Sequence, residues 1–217
     1  MAKKQVVVIG LGRFGSSLAR TLSDLGNEVL GLDIDLKRVE FVAEFATQAA
    51  QVDATDEEAL REMGVRNFDI GVVAIGGDIK SSILVTLLLK RLGVKTVISK
   101  AQDDLHGEIL EKVGADRVVY PERETGVRVA HAISTPNLVD YLEVISGYGI
   151  AKLVVPLSFV GKELGQLELR SRYGLTPLIL RRAGELLINP SRSEVLNQGD
   201  VLVLSGKDEQ LEALRTT

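Results

Sequence analysis

Three closely spaced glycines near the amino terminus are the residues whose spacing most clearly implies chemistry. Gly10, Gly12 and Gly15 follow an apolar segment at residues 5–9, in the sequence Gly-Leu-Gly-Arg-Phe-Gly. In such a pattern the first glycine permits a tight turn, the second lets the backbone approach a phosphate, and the third lets a helix pack against the sheet. The phosphate then binds the free N–H groups that begin the helix. We therefore predict a nucleotide-binding site rather than a glycine-rich turn in another α/β protein.

Asp33 closes the second apolar segment, at the separation expected for a carboxylate that binds ribose hydroxyls. A carboxylate at this position repels a 2′-phosphate, which argues against NADP as the ligand. The alternative is that Asp33 caps a helix beginning at Ile34. Asp35 is the better candidate for that cap.

Other polar residues lie where the later strand patterns end, and ligands of open α/β sheets bind at that edge. The short side chains of Asp53, Ala54 and Thr55 suit the edge of an adenine ring. An equally good alternative is that Thr55 caps a helix together with Glu58. Gly76, at the end of the fourth pattern, suits close approach of the backbone to a ligand.

Three charged residues complete the predicted site. Arg13 lies in the first turn of the helix, where a positive charge opposes the helix dipole unless a polyphosphate, of the same or a neighbouring subunit, compensates it. Lys100 either binds a phosphate or is an ordinary surface lysine without a ligand. Glu122 either shares a cation with phosphates or is an exposed acid at a helix start. The full predicted cofactor site is Gly10, Gly12, Arg13, Phe14, Gly15, Asp33, Ile34, Asp35, Asp53, Ala54, Thr55, Ala74, Ile75, Gly76, Lys100 and Glu122.

Alternating strand and helix patterns position these residues. Strand patterns at residues 5–9, 28–33, 48–52, 70–75, 96–99 and 117–120 are separated by helix patterns. This alternation predicts a Rossmann-type, doubly wound parallel sheet of six strands, in the order 3-2-1-4-5-6, with helices on both faces. The predicted nucleotide-binding domain comprises residues 1–134.

The pattern changes after residue 122. A helix pattern at residues 125–133 ends at a break at residues 135–137. A second amphipathic helix pattern follows, with Leu138, Tyr141, Leu142 and Ile145 on one side. These patterns predict a helical crossover or linker at residues 135–149. Short strand patterns at 153–157, 175–180, 186–188 and 201–204, and a closing helix at 208–214, predict a small α+β domain at residues 150–217.

Composition excludes several classes of protein. The 217 residues carry a net charge of −4 and few aromatic side chains, so nothing favours binding to nucleic acid. The longest apolar stretch, residues 83–89, is far shorter than the roughly 20 residues that span a bilayer. No signal peptide is expected, and the absence of cysteine suits a cytoplasmic location.

The motifs together resemble the RCK (KTN) regulatory subunits of Ktr and Trk potassium uptake systems, with the cytosolic Ktr-type subunit the closer match. They are GLGRFG at residues 10–15, DID at 33–35, VAIG at 73–76, KAQ at 100–102, GADR at 114–117, PER at 121–123 and LRSRYG at 169–174. The resemblance covers essentially the whole chain, and the order and spacing of the motifs make it specific.

This resemblance implies a non-enzymatic subunit that binds ATP or ADP, sometimes NAD or NADH. It further implies dimers that build an octameric ring docked on a membrane ion-translocating subunit at the inner face of the membrane. By resemblance, Asp33 binds ribose, Arg13 binds the terminal phosphate across the dimer, and Glu122 binds a divalent cation (Mg²⁺ or Ca²⁺) or Na⁺ at that interface. Arg170 and Pro190 match positions that line a cyclic di-AMP site between two C-terminal domains, although Thr176 and Pro177 depart from the usual aliphatic strand.

Two other functions remain alternatives. A small NAD-dependent oxidoreductase needs a proton donor such as histidine or lysine near the nicotinamide, and the sequence offers no convincing candidate. A free-standing nucleotide or redox sensor that acts on another partner fits the same nucleotide site, because a docking surface has no sequence motif.

Overall fold

The structure is a computed structural model that describes residues 3–134 and 136–213. Thr135, the first residue of the predicted linker, and Leu214, the last residue of the predicted closing helix, lie outside the described residues. The chain divides into two compact units, Met1–Glu122 and Arg123–Thr217. No helix in the described ranges is long and apolar enough to cross a membrane.

The first unit is a six-stranded parallel sheet whose strands alternate with helices. In chain order its elements are β1 (Gln5–Ile9), α1 (Arg13–Asp24), β2 (Glu28–Asp33), α2 (Leu36–Ala43), β3 (Gln48–Gln51), α3 (Glu57–Glu62), β4 (Ile70–Val73), α4 (Ile79–Arg91), β5 (Thr96–Lys100), α5 (Asp104–Lys112) and β6 (Arg117–Val119), with a short 3-10 helix at Val65–Asn67. The strand order β3-β2-β1-β4-β5-β6 confirms the predicted doubly wound topology.

Strand β1 shows why the sheet is covered on both faces. Alternate side chains of a strand point to opposite faces. Val7 and Ile9 accordingly pack into one buried cluster with Leu88 of α4, whereas Val6 and Val8 pack into another cluster, on the α1 and α2 side. Residues 6–9 of β1 are all apolar and buried, which is typical of a central strand covered on both faces.

The second unit is a five-stranded antiparallel sheet with short helices. Its elements are β7 (Leu138–Ile145), β8 (Tyr148–Val154), α7 (Leu169–Tyr173), β9 (Thr176–Arg182), β10 (Glu185–Ile188), β11 (Val201–Lys207) and α8 (Asp208–Ala213), in the sheet order β10-β9-β11-β8-β7. Helix α6 (Pro121–Ser134) joins the two units. Its part after Glu122 belongs to the second unit, in which Arg128 pairs with Asp140 and His131 lies against Tyr141.

The prediction of a second amphipathic helix after residue 137 was wrong. Leu138–Ile145 is strand β7, which pairs with β8 in a hairpin closed by Ser146 and Gly147. Gly147 has a φ of 78°, a conformation that glycine adopts without a steric penalty. The boundaries proposed from the sequence at residues 134 and 149 therefore enclose a strand of the second unit rather than a helical linker.

Candidate nucleotide-binding site

A cavity of about 590 Å³ opens at the carboxyl ends of the parallel strands. The residues that line it are Ile9, Gly10, Gly12, Arg13, Phe14, Leu32, Asp33, Ile34, Arg38, Val52, Asp53, Ala54, Thr55, Ala74, Ile75, Gly76, Gly77, Asp78, Ser81, Val85, Lys100 and Glu122. The fold thus brings together all but two of the residues predicted from the sequence. Gly15 and Asp35 do not line the cavity.

The glycine loop has the geometry that its spacing predicts. Gly10 has a φ of 91°, and a side-chain Cβ there would lie 3.0 Å from the backbone of Ala74 and Ile75. A Cβ on Gly15 would overlap the carbonyl oxygen of Gly10, so the helix packs against the loop more closely than any other residue permits. No atom lies within 4 Å of a Cβ built on Gly12, which leaves room for a ligand beside the loop.

The first turn of α1 is unusually favourable for an anion. Its N-cap is Gly12, which has no side chain to satisfy the free N–H groups, and no acidic residue occupies the turn. Arg13 is the first residue of the helix, lines the cavity and forms no ion pair within the described part of the chain. Its positive charge adds to the positive end of the helix dipole, so a phosphate group there would gain from both.

Asp33 is buried, with 6% of its surface exposed, and it fixes the glycine loop. Its Oδ2 accepts a hydrogen bond of 2.6 Å from the Leu11 backbone N–H, and its Oδ1 accepts one of 2.9 Å from Asp35. Asp35 is the N-cap of α2 and accepts from the Lys37 N–H. The alternative role of Asp33 as helix cap is therefore wrong, and its carboxylate remains beside the cavity.

The adenine-edge candidates form a compact turn. Asp53 accepts hydrogen bonds from the backbone N–H and the hydroxyl of Thr55, at 2.9 and 2.6 Å. These bonds hold the pKa of the Asp53 carboxyl below its usual value. The N-cap of α3 is Asp56, so the alternative role of Thr55 as the cap partnered with Glu58 is wrong.

Lys100 is buried rather than part of the plain surface. Its Nζ lies 2.5 Å from Oε1 of Glu122 and 3.0 Å from the position of a Cβ on Gly76. The hydrogen bond from Lys100 lowers the pKa of the Glu122 carboxyl. Gln102 donates to the carbonyl of Gly76, which links the loops that follow β4 and β5.

Arg38, Asp78 and Ser81 line the cavity but were missed from the sequence. Arg38 lies 3.5 Å from both Asp33 Oδ2 and Asp35 Oδ2. Asp78 caps α4 and also accepts from the Ser81 hydroxyl at 2.7 Å. The Asp-x-x-Ser spacing is a helix-start signal that indicates this cap, whereas nothing in the sequence indicates that Arg38 turns toward Asp33.

The remaining predicted site residues are separate from this cavity. Arg170 is an exposed residue of α7, and Pro190 follows β10, both in the second unit. Among the described residues no group of three histidine, aspartate or glutamate side chains is placed to hold a metal ion. Glu122 alone, already paired with Lys100, does not form a metal site within one chain.

Comparison with known proteins identifies the family. Residues 6–121 match the TrkA-N domain and residues 150–217 match the TrkA-C domain. The chain is 43% identical over 204 residues to Ktr system potassium uptake protein C of Bacillus subtilis (strain 168), covering 94% of this chain and 92% of the relative. It is 37% identical over 208 residues to Ktr system potassium uptake protein A of Vibrio alginolyticus, covering 96% and 94%.

Solved structures share the fold. The GsuK RCK domain superposes with a TM-score of 0.69 at 22% identity, covering 99% of this chain and 47% of that chain. A GsuK channel bound to NAD superposes with a TM-score of 0.67 at 22% identity, covering 98% and 39%. The present chain therefore spans less than half of these solved chains. The two domain matches and the identity over nearly full length show that the chain belongs to the family of Ktr system potassium uptake proteins.

Proposed function

We propose that this protein is a regulatory subunit that binds a nucleotide in the cavity of its first unit and thereby gates a membrane potassium-translocating subunit of the Ktr or Trk type. In this proposal it assembles as homodimers in a homo-octameric ring, on the cytoplasmic face of the membrane. Its relatives are named as potassium uptake proteins, which supports the process. The single observation that carries the ligand class is the anion-favouring first turn of α1, with Arg13 beside Asp33 in one cavity.

ATP or ADP is the proposed ligand, and NAD or NADH is the alternative. In this proposal an adenosine nucleotide binds two parts of the cavity at once: its phosphates contact the N-terminus of α1 and its ribose contacts Asp33. NAD binding by a GsuK channel is a property of that protein, and 22% identity carries over only the fold. The choice between the two nucleotides therefore depends on direct titration.

A regulatory role suits the cavity better than an oxidoreductase role. Hydride transfer needs a proton donor near the nicotinamide. Lys100, which lines the cavity, is paired with Glu122, and His106 is buried in α5 without lining the cavity. Conformational change on nucleotide binding is then the proposed output, since a ligand shifts a protein toward the state that it binds more tightly.

A cation shared between subunits extends this proposal. Glu122 is the carboxylate that we propose for this cation, since two such carboxylates beside a polyphosphate repel one another unless a cation lies between them. Mg²⁺, Ca²⁺ or Na⁺ is the proposed ion, held by Glu122 of two subunits. Cyclic di-AMP is proposed as a second ligand, bound near Arg170 and Pro190 between two copies of the second unit.

The test begins with the purified full chain titrated with ATP, ADP and NADH, while ring size is followed by light scattering. Asp33→Asn keeps the shape and one acceptor for the Leu11 N–H but removes the charge, and it should weaken nucleotide binding by about 1–3 kcal/mol. Asp35→Asn is the matched control, because Asp35 does not line the cavity. Equal affinity in both variants, or no nucleotide binding by the parent protein, would contradict the proposal.

Transport provides the second readout. Cells lacking potassium uptake, supplied with a Ktr-type membrane subunit, should grow at low potassium when they also express this chain. The Asp33→Asn variant should support that growth less well than the Asp35→Asn variant. If both variants restore growth fully, nucleotide binding at this cavity does not regulate transport.

A further inference from the structure

A second cavity lies at the edge of the parallel sheet opposite the nucleotide cavity. It has a volume of about 390 Å³, and its lining includes Arg61, Arg66, Asn67 and Arg91. Arg66 and Asn67 lie in the 3-10 helix that leads into β4, and Arg91 ends the helix that leads into β5. The second cavity therefore lies at the amino-terminal ends of the parallel strands, whereas the nucleotide cavity lies at their carboxyl ends.

The arginines that line this cavity give it a net positive charge, although their side chains are exposed: those of Arg61 and Arg91 are 56% and 61% exposed. Glu57 bridges two of its arginines, with Oε1 2.6 Å from Arg61 and Oε2 3.4 Å from Arg91. Arg66 has no acidic partner among the residues that the structure describes. Three guanidinium groups and one carboxylate leave a formal charge of +2.

Helix dipoles explain part of this arrangement. Arg61 and Arg91 lie in the last turns of α3 and α4, where a positive charge offsets the negative end of the helix. They do not explain why Arg66 points to the same cavity. Gly64, with a φ of 68°, turns the chain between α3 and the 3-10 helix that carries Arg66, and so brings the third arginine beside the other two. Glu57 offsets the repulsion between Arg61 and Arg91 but leaves Arg66 without an acidic partner in the described ranges, and a bound anion would compensate the remaining positive charge.

We propose that this cavity binds a phosphate monoester, at a site separate from the nucleotide cavity. A phosphate monoester carries a charge of about −1.5 to −2 near pH 7, which matches the site, and the planar guanidinium group donates paired hydrogen bonds to phosphate oxygens. The volume of about 390 Å³ leaves room for an organic group besides the phosphate. The phosphate belongs either to a small soluble molecule or to a lipid headgroup, and both sources share this chemistry.

Glu57 allows a test in which two variants change the affinity for phosphate in opposite directions, because its carboxylate competes with the phosphate for Arg61 and Arg91. Removing its charge with Glu57→Gln should strengthen binding of the phosphate. Removing Arg66 should weaken binding by roughly tenfold to a hundredfold, the usual range for a lost hydrogen bond to a charged group. A variant that merely disturbed the fold would weaken binding in both cases, so opposite effects identify a built site.

The experiment uses the full chain and glycerol 3-phosphate as the probe, with binding measured by calorimetry. Arg66→Gln and Glu57→Gln are compared with Arg13→Gln, which removes the arginine of the nucleotide cavity, and with Arg181→Gln, an exposed surface arginine of the second unit. We expect weaker binding for Arg66→Gln, tighter binding for Glu57→Gln and no change for Arg181→Gln. Loss of binding in Arg13→Gln alone would place the probe in the nucleotide cavity instead. Thermal unfolding of every variant, and ATP binding of Arg66→Gln, Glu57→Gln and Arg181→Gln, verify that the fold is intact.

A second arm separates the two sources of phosphate. Vesicles of phosphatidylcholine with and without phosphatidic acid are sedimented with the parent protein and with Arg66→Gln. Arg66-dependent binding to phosphatidic acid indicates a lipid headgroup, whereas probe binding without vesicle binding indicates a soluble phosphate. The proposal is overturned if neither probe binds, if Arg66→Gln binds as tightly as the parent, or if Arg13→Gln alone abolishes binding.

Discussion

Lys100 and Glu122 form an ion pair of 2.5 Å that joins a buried lysine to an exposed glutamate at the edge of the nucleotide cavity. The lysine side chain is 11% exposed and the glutamate side chain is 70% exposed. A phosphate that approaches Lys100 and a cation that approaches Glu122 each compete with this pair. When both ligands bind, the phosphate replaces Glu122 as the partner of Lys100, and the cation replaces Lys100 as the partner of Glu122. Neither charged side chain is then left unpaired, which is a physical reason for nucleotide and cation to bind cooperatively.

The first prediction concerns the lysine. Lys100→Met keeps the apolar stem but removes the charge, and ATP affinity should fall by about 1.5–3 kcal/mol because a charged hydrogen bond is lost. Lys100→Arg, which keeps the charge, is the control and should lose less. The ATP affinities of both variants are measured by calorimetry. An unchanged affinity for Lys100→Met would mean that Lys100 only forms the ion pair with Glu122 and does not bind the nucleotide.

The second prediction is that Arg13 distinguishes ATP from ADP. In the proposed complex Arg13 donates charge-assisted hydrogen bonds to the terminal phosphate, so Arg13→Gln should weaken ATP binding more than ADP binding. The matched control is Arg20→Gln in the same helix, where the guanidinium lies 3.9 Å from the centre of the Phe45 ring. Equal losses for the two nucleotides would show that Arg13 only supports the loop.

The third prediction concerns the cation. Mg²⁺ or Ca²⁺ should raise the ATP affinity of the parent protein, and Glu122→Gln should remove that enhancement because an amide is a poorer ligand for a hard cation than a carboxylate is. ADP should couple more weakly. Glu124→Gln, two residues further along α6, should behave like the parent. An equal cation enhancement in Glu122→Gln would leave Glu122 as a helix-start acid.

The fourth prediction is a dependence of stability on pH. His106 is 2% exposed, its Nδ1 accepts a hydrogen bond from the Gln102 N–H at 3.3 Å, and burial lowers its pKa despite the nearby Asp103. The unfolded chain therefore takes up a proton at a higher pH than the folded chain does. This contribution to stability is complete above pH about 6.5 and is lost as the pH falls from there toward the lowered pKa, by at most about 1.4 kcal/mol per pH unit.

Urea unfolding between pH 8 and 5.5 measures this slope. His106→Gln should flatten it, while His131→Gln, which alters the other histidine, should keep it. A slope unaffected by His106→Gln would assign the pH dependence to other groups.

The first unit was largely predictable because its sequence signals agree with one another. The strand β1 has four successive buried apolar residues, the glycine loop needs specific backbone geometry, and Asp33 ends β2 where a carboxylate is expected. Each signal is local, and the handedness of βαβ units then fixes the strand order. The pairing of Lys100 with Glu122 was not predictable, since it joins the end of β5 to the start of α6, 22 residues apart in the sequence.

Strand β7 was mistaken for a helix for an identifiable reason. Leu138, Tyr141, Leu142 and Ile145 recur at the spacing of a helix face, yet only Tyr141 is fully buried. The tertiary context overrode that periodicity. The Ser146-Gly147 dipeptide, directly before another apolar segment, was the available hairpin signal.

The outer strands of the five-stranded sheet bear on how the protein can be handled in the laboratory. Leu186 and Ile188 of β10 are 60% and 71% exposed, and Leu142 and Ile145 of β7 are 56% and 65% exposed. Such edges offer unpaired backbone groups beside apolar side chains, which is a template for aggregation. A fragment limited to the second unit should therefore precipitate on concentration, and a lysine in place of Ile188 is the first change to make in rescuing it as a reagent.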